Sequence, residues 1–152
     1  MREKIKILFI CHGNICRSPM AEFIMKDLVR KAGREKEFRI ESAATSSEEL
    51  GNPVYPPARK KLAEHGIGCE GKTARRMREA DYRDFDYIIG MDSENMYYMN
   101  RLWPTDPEHK LSLLMEYTGQ SRDVSDPWYT RNFEATWQDC LAGCTALLEK
   151  LS

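Results

Sequence analysis

The chain is expected to fold as an α/β domain, one parallel sheet with helices on both faces. Short apolar runs alternate with helical patterns almost without interruption, the strongest run is apolar at nearly every position, and the last segment carries a long helical stripe. At 152 residues the chain suffices for one fair-sized core and is short for two, so residues 1–152 are read as one domain.

Lys6 to Ile10 is the continuous apolar run, suited to a central strand covered on both sides. Helical spacing begins just past it, with Pro19 in the first turn and Met20, Ile24 and Leu28, with Ala21, as the buried stripe. The segment FRIESAAT reads as a second strand running into a loop, and SSEELGNPVYPP as a polar, turn-rich connection. Pro56 or Pro57 can open a helix through ARKKLAEH, which Gly66 would close. A short basic helical patch is expected around TARRM, and Phe85 to Met91 as a third strand. Asp92 is placed to cap the helix SENMYYMNRLW, with Asn95 at its third position, and Pro104 stops it. KLSLLMEY is the fourth strand. The final helix shows one face of Phe133, Trp137, Cys140 or Leu141, Cys144, Leu147 or Leu148, and Leu151.

Composition narrows the function. Lysine plus arginine number 23 and aspartate plus glutamate 24, a formal charge of -1, so no strong field draws nucleic acid. No window reaches the roughly 18 apolar residues of a membrane span, and MREKIKILFI lacks a signal peptide's long apolar core and cleavage site. A cytoplasmic protein is expected, and five cysteines without secreted-scaffold spacing are expected to be reduced.

The chemistry concentrates in CHGNICRS, residues 11–18, between the first strand and the first helix. Such a turn can aim successive backbone N–H groups at one point, and the helix N-terminus adds partial positive charge: an anion site made of backbone. Ligands in parallel sheets bind beyond the carboxyl ends of the strands, where Cys11 lies. Gly13 offers freedom for the tight turn and Asn14 tolerates left-handed geometry. Arg17 brings a planar fork of donors matched to two phosphate oxygens. The same field favours the thiolate of Cys11, the form that attacks phosphorus, and Ser18 can hydrogen-bond that sulfur. A buried thiol beside an ordinary turn is the competing reading of the same residues.

Displacing a phenolate needs a proton as the bond breaks. Asp126, in VSDPWY, is the candidate acid: Pro127 stiffens the backbone beside it, and repulsion from bound phosphate and thiolate favours its protonated form. It would then take a proton from the hydrolytic water. The alternative is that Asp126 starts a turn or caps a helix. Trp128 and Tyr129 would wall a slot for an aryl phosphate, or pack against the last helix.

CHGNICRSPMAE, SAAT, FDYIIGMD and the late DPWY together resemble the low-molecular-weight protein tyrosine phosphatase family over essentially the whole chain. The resemblance implies a four-stranded parallel sheet of flavodoxin-like, Rossmann-like architecture and metal-independent, cofactor-free hydrolysis of phosphotyrosine through a phosphocysteine. It makes Cys11 the nucleophile, Arg17 the clamp and Asp126 the general acid, with His12, Gly13, Ile15 and Cys16 completing the phosphate loop. Asn14, Ser18 and Ser42 resemble the hydrogen-bonded set that shapes the loop, and Asp92 is a supporting residue. Cys16 resembles a second loop thiol that forms a reversible disulfide with Cys11. The implied partner is a phosphotyrosine-containing protein, with a bacterial-type tyrosine kinase as counterpart.

Two departures from the family pattern stand out. Lys72 occupies a place where members often carry a histidine that supports the loop, and the loop after SAAT offers Leu50 and two acids in place of an aromatic wall. His12 is expected to contribute its backbone N–H and His65 to meet the carbonyls ending its helix. Cys69, Cys140 and Cys144 lack histidine or acid companions at metal-ligand spacing. A monomer is expected, with weak self-association open to Tyr97, Tyr98 and Trp103 if these are exposed.

Three rivals remain. Arsenate reduction on this fold needs a downstream cysteine pair, and residues 80–139 contain none. Protein arginine phosphatase activity is found in resembling proteins with threonine where Ile15 stands. A flavin- or phosphate-binding module without catalysis is the reading from outside the enzymes.

Overall fold

The computed structural model describes residues 3–152. Four strands form one sheet: β1 (Ile5–Cys11), β2 (Phe38–Ala44), β3 (Tyr87–Gly90) and β4 (Leu111–Leu113), in the order β2-β1-β3-β4, every pairing parallel. β1 is central, as its unbroken apolar character requires, and its side chains alternate between two cores. Ile7, Phe9 and Cys11 face the larger one, with Met20, Ile24, Trp137, Cys140 and Leu147, beneath α1 (Arg17–Lys31), α2 (Pro56–Glu64) and α6 (Phe133–Lys150). Leu8 and Ile10 face the other, with Phe85, Met99 and Trp103, beneath α3 (Ala80–Asp84) and α4 (Ser93–Leu102). A further short helix, α5 (Pro127–Thr130), precedes α6.

Close approach sets two glycines. A Cβ on Gly143 of α6 would lie 2.4 Å from Leu114 Cγ, and one on Gly90 would lie 3.0 Å from Met99 Sδ of α4. At Gly90 the sheet meets α4, and at Gly143 α6 meets the turn after β4, nearly backbone to side chain.

The structure corrects several expectations. TARRM is not helical: it runs extended past the end of β2, with Arg76 bridging to Ala44 and Thr73 to Pro53. Lacking an apolar stripe at helical spacing, it satisfies backbone groups instead, Ala44 N–H donating to Arg75 O at 2.7 Å and Met77 N–H to Ala44 O at 2.8 Å. The fourth strand is only three residues long, because Leu114 and Met115 turn into a 3-10 helix (Leu114–Thr118) that packs on α6. Trp103 is buried in the second core, its indole N–H donating to Glu79 O at 3.2 Å, so of the three proposed surface aromatics only Tyr97 and Tyr98 are exposed. Cys69, whose polar sequence surroundings suggest an exposed loop, is buried in the larger core.

Candidate active site

Cys11 is the last residue of β1 and Arg17 the first of α1, so strand tip and helix start hold the two ends of the 12–16 turn. Asn14 takes the left-handed backbone, φ 59°, and its N–H donates to Cys11 Sγ at 3.3 Å. The remaining N–H groups from Gly13 through Arg17 donate to no other protein group among the described residues, leaving them free for an anion. Gly13 has an ordinary φ. A Cβ there would press lightly on the Glu49 side chain, 3.3 Å from its Cγ.

Under the turn runs a buried polar chain. Ser18 Oγ lies 3.0 Å from Cys11 Sγ, and the Asn14 amide donates to Ser18 Oγ at 2.8 Å and to Ser42 Oγ at 2.9 Å. Ser42 in turn donates to Glu22 Oε1 at 2.5 Å, and Asn14 Oδ1 accepts the Arg75 N–H at 3.2 Å. Asn14 and Ser18 thus lie beneath the turn, shaping it, rather than in the lining of the slot above. Lys72, the departure from the family pattern, joins this chain: its ammonium donates to Ser42 O at 2.8 Å and sits 3.5 Å from Glu22. Burial draws the Lys72 pKa below the ordinary lysine value, with Glu22 acting against it.

Arg17, 3% exposed, is aimed by two carboxylates. Asp92 caps α4 by accepting the Asn95 N–H on Oδ1 at 2.7 Å, which leaves Oδ2 to hold Arg17 Nη1 at 2.8 Å. Asp126 caps α5 through the Trp128 N–H at 3.0 Å and presents Oδ2 to Arg17 Nη2 at 3.4 Å. The capping reading of Asp126 and its place over the cradle are therefore both true of one side chain. Burial works to lower the Arg17 pKa, but the surrounding Cys11, Asp92 and Asp126 carry it above the ordinary arginine value.

Above the turn opens a slot of about 460 Å³. His12, Gly13, Ile15, Cys16, Trp128 and Tyr129 line it with the thiol and guanidinium. Leu50 does not. It points away, 53% exposed, and Glu48 and Glu49 take its place. Tyr55, which sequence reasoning missed, backs Trp128 with ring centroids 5.4 Å apart. The His12 ring turns to the rim, Nε2 2.8 Å from Glu48 and Nδ1 3.8 Å from Glu94. Burial, with added repulsion from Cys11, pushes the Cys16 thiol up to about 12. His65 stacks on Trp137 with centroids 3.8 Å apart, far from this chemistry. A second concavity, between Phe23, Lys26, Phe38 and Ile67, brings no thiol to its wall.

Fold and site together define a protein that holds a thiol at the floor of an anion cradle at the carboxyl end of a parallel sheet. The family model for low molecular weight phosphotyrosine protein phosphatase matches residues 6–152, and the chain belongs to that family. It is 40% identical over 149 residues to the low molecular weight protein-tyrosine-phosphatase YfkJ of Bacillus subtilis, covering 97% of this chain and 96% of that one. The crystal structure of YfkJ superposes with a TM-score of 0.95 at 39% identity, over 99% of this chain and 96% of the other. A Drosophila arginine phosphatase superposes with a TM-score of 0.87 at 31% identity, over 97% of this chain and 98% of the other.

Proposed function

We propose that residues 1–152 form one catalytic domain that hydrolyses phosphotyrosine in proteins, and small aryl phosphates, through a phosphocysteine intermediate. The observation that carries this reading is the convergence of Cys11 Sγ, the free N–H groups and the Arg17 fork on the floor of a slot with aromatic walls. The phosphoryl dianion sits in the cradle with two oxygens on Arg17. The Cys11 thiolate attacks phosphorus and the bond to the phenolic oxygen breaks, that oxygen taking the proton of Asp126. Water then attacks phosphorus and gives a proton to Asp126, the P–S bond breaks, and phosphate leaves with the thiolate restored. Ser18 stabilises the sulfur as it leaves, and Asp92 keeps the fork in plane with the phosphate.

Ile15, Trp128 and Tyr129 supply apolar walls for the tyrosyl ring. The likeness to a Drosophila arginine phosphatase favours a second reading, phosphoarginine, on the same floor. Ile15 speaks against it, since an aliphatic side chain there has no hydroxyl to orient a guanidinium. The partner is a phosphotyrosine-bearing protein, its kinase counterpart of bacterial type, met by a monomer in the cytoplasm; the five free cysteines suit a reducing compartment. Cys16, in the same turn as the nucleophile and lining the same slot, supports reversible disulfide protection of Cys11.

The test is hydrolysis of p-nitrophenyl phosphate, phosphotyrosine peptides and phosphoarginine peptides by the wild type and Cys11→Ser. Turnover of the two aryl substrates, abolished in Cys11→Ser, is expected. Turnover of phosphoarginine alone would replace the substrate class and leave the floor chemistry intact.

A further inference from the structure

The floor of the slot is built for an anion, and its mouth is built for the opposite charge. Arg17 is the only lysine or arginine in the lining, and Asp92 and Asp126 are already committed to it. Three more carboxylates stand at the rim. Glu48 and Glu94, their side chains 69% and 66% exposed, flank the His12 ring from opposite sides, one on the loop after β2 and the other on α4. Glu49 accepts only the Asn52 amide. None of the three pairs with a lysine or arginine among the described residues. With 23 basic against 24 acidic residues over the whole chain, this excess is local to the mouth.

Other parts of the mouth suit a cation. Trp128 and Tyr129 are 55% and 84% exposed, large aromatic faces with no cationic partner of their own. A lysine or arginine stem can lie over such a ring while its charged end reaches a carboxylate.

We infer that the mouth is a subsite for a lysine or arginine flanking the phosphotyrosine, so that the protein selects basic over acidic phosphopeptides. This rests on the phosphotyrosine reading above. A bare dianion approaching the floor meets three rim carboxylates; a basic neighbour on the same peptide turns that repulsion into attraction. The His12 ring, fixed beside Glu48, holds the loop acid at the rim, and Ser46 ties the same loop to the cradle through two bonds to His12 O, at 2.9 and 3.2 Å.

The experiment compares kcat and KM for matched phosphotyrosine peptides with lysine or arginine on both sides, and with glutamate on both sides, for wild type and Glu48→Gln/Glu94→Gln. Wild type is expected to favour the basic peptide by about tenfold in kcat/KM, carried mainly by KM. The preference should shrink to about threefold or less in the double variant and in about 1 M salt. Equal turnover of both peptides by wild type overturns the subsite and leaves the phosphotyrosine reading standing. A preference that survives unchanged in the double variant also overturns it. Turnover of neither peptide overturns the phosphotyrosine reading, and the subsite with it.

Discussion

Lys72 reaches from the extended TARRM segment's neighbourhood to the end of β2, where its ammonium donates to the carbonyl of Ser42 at 2.8 Å. Ser42 carries that support to Asn14 and, through Ser18, to the nucleophile. The same ammonium faces Glu22, whose side chain is 4% exposed. Lys72→Met is expected to lower stability by about 1 kcal/mol, because the Ser42 carbonyl loses its donor and the buried Glu22 carboxylate keeps only Lys26, at 2.6 Å, as its cation. It should also lower kcat about tenfold as the cradle loosens. Denaturant unfolding and steady-state kinetics check both, and Glu22→Gln added to Lys72→Met should recover part of the stability.

In the proposed mechanism Asp126 protonates the leaving group, so its removal should fall hardest on substrates with a poor one. Asp126→Ala is expected to lower kcat on phosphotyrosine peptides by about 10²- to 10⁴-fold. On p-nitrophenyl phosphate, whose phenol is far more acidic, the loss should be much smaller. Parallel kinetics on the two substrates measure the difference.

Gly143 lies where α6 crosses the 3-10 turn after β4, with no room for a side chain. Gly143→Val should cost about 3 kcal/mol by overpacking against Leu114, visible as a lowered thermal midpoint. Adding Leu114→Ala should relieve part of that loss by opening the space.

Asp139 ties α6 to the segment that carries Asp126. It takes Arg122 on both oxygens, at 2.7 and 3.0 Å, and the Ser125 N–H at 3.0 Å. Burial works to raise its carboxyl, but Arg122 and the Ser125 N–H win and hold it below the ordinary aspartate value. A depressed carboxyl stabilises the fold above its unfolded pKa of about 3.9, and that contribution is lost as pH falls through the lower folded value. Asp139→Asn should therefore lower stability at neutral pH by about 1 kcal/mol, with the difference from wild type vanishing near pH 2. Arg122 is half exposed, which keeps the figure small. Unfolding curves across pH 2 to 7 provide the check.

The central strand, the cradle turn and the caps of α4 were legible because each depends on local residue order: an apolar run, a turn of small polar residues, an aspartate three before an asparagine. Glu22 was not. Four residues before Lys26, it reads as half of a surface ion pair, and indeed it makes that contact at 2.6 Å. Its other oxygen accepts from Ser42, a strand away in sequence. The path of TARRM was hidden for the same reason, since what fixes it is the unpaired end of β2. Leu50 misled because the loop after β2 brings Glu48 to the His12 ring at the rim of the slot and leaves Leu50 in solvent outside it.

A phosphorus–sulfur bond on Cys11 is the central step of the proposed reaction. Rapid acid quenching of the wild type during turnover of a phosphotyrosine peptide, followed by mass spectrometry of the peptide containing Cys11, should show one phosphoryl group on that residue and none in Cys11→Ser. Absence of the adduct under turnover, with Cys11→Ser retaining wild-type rates, would contradict the two-step mechanism.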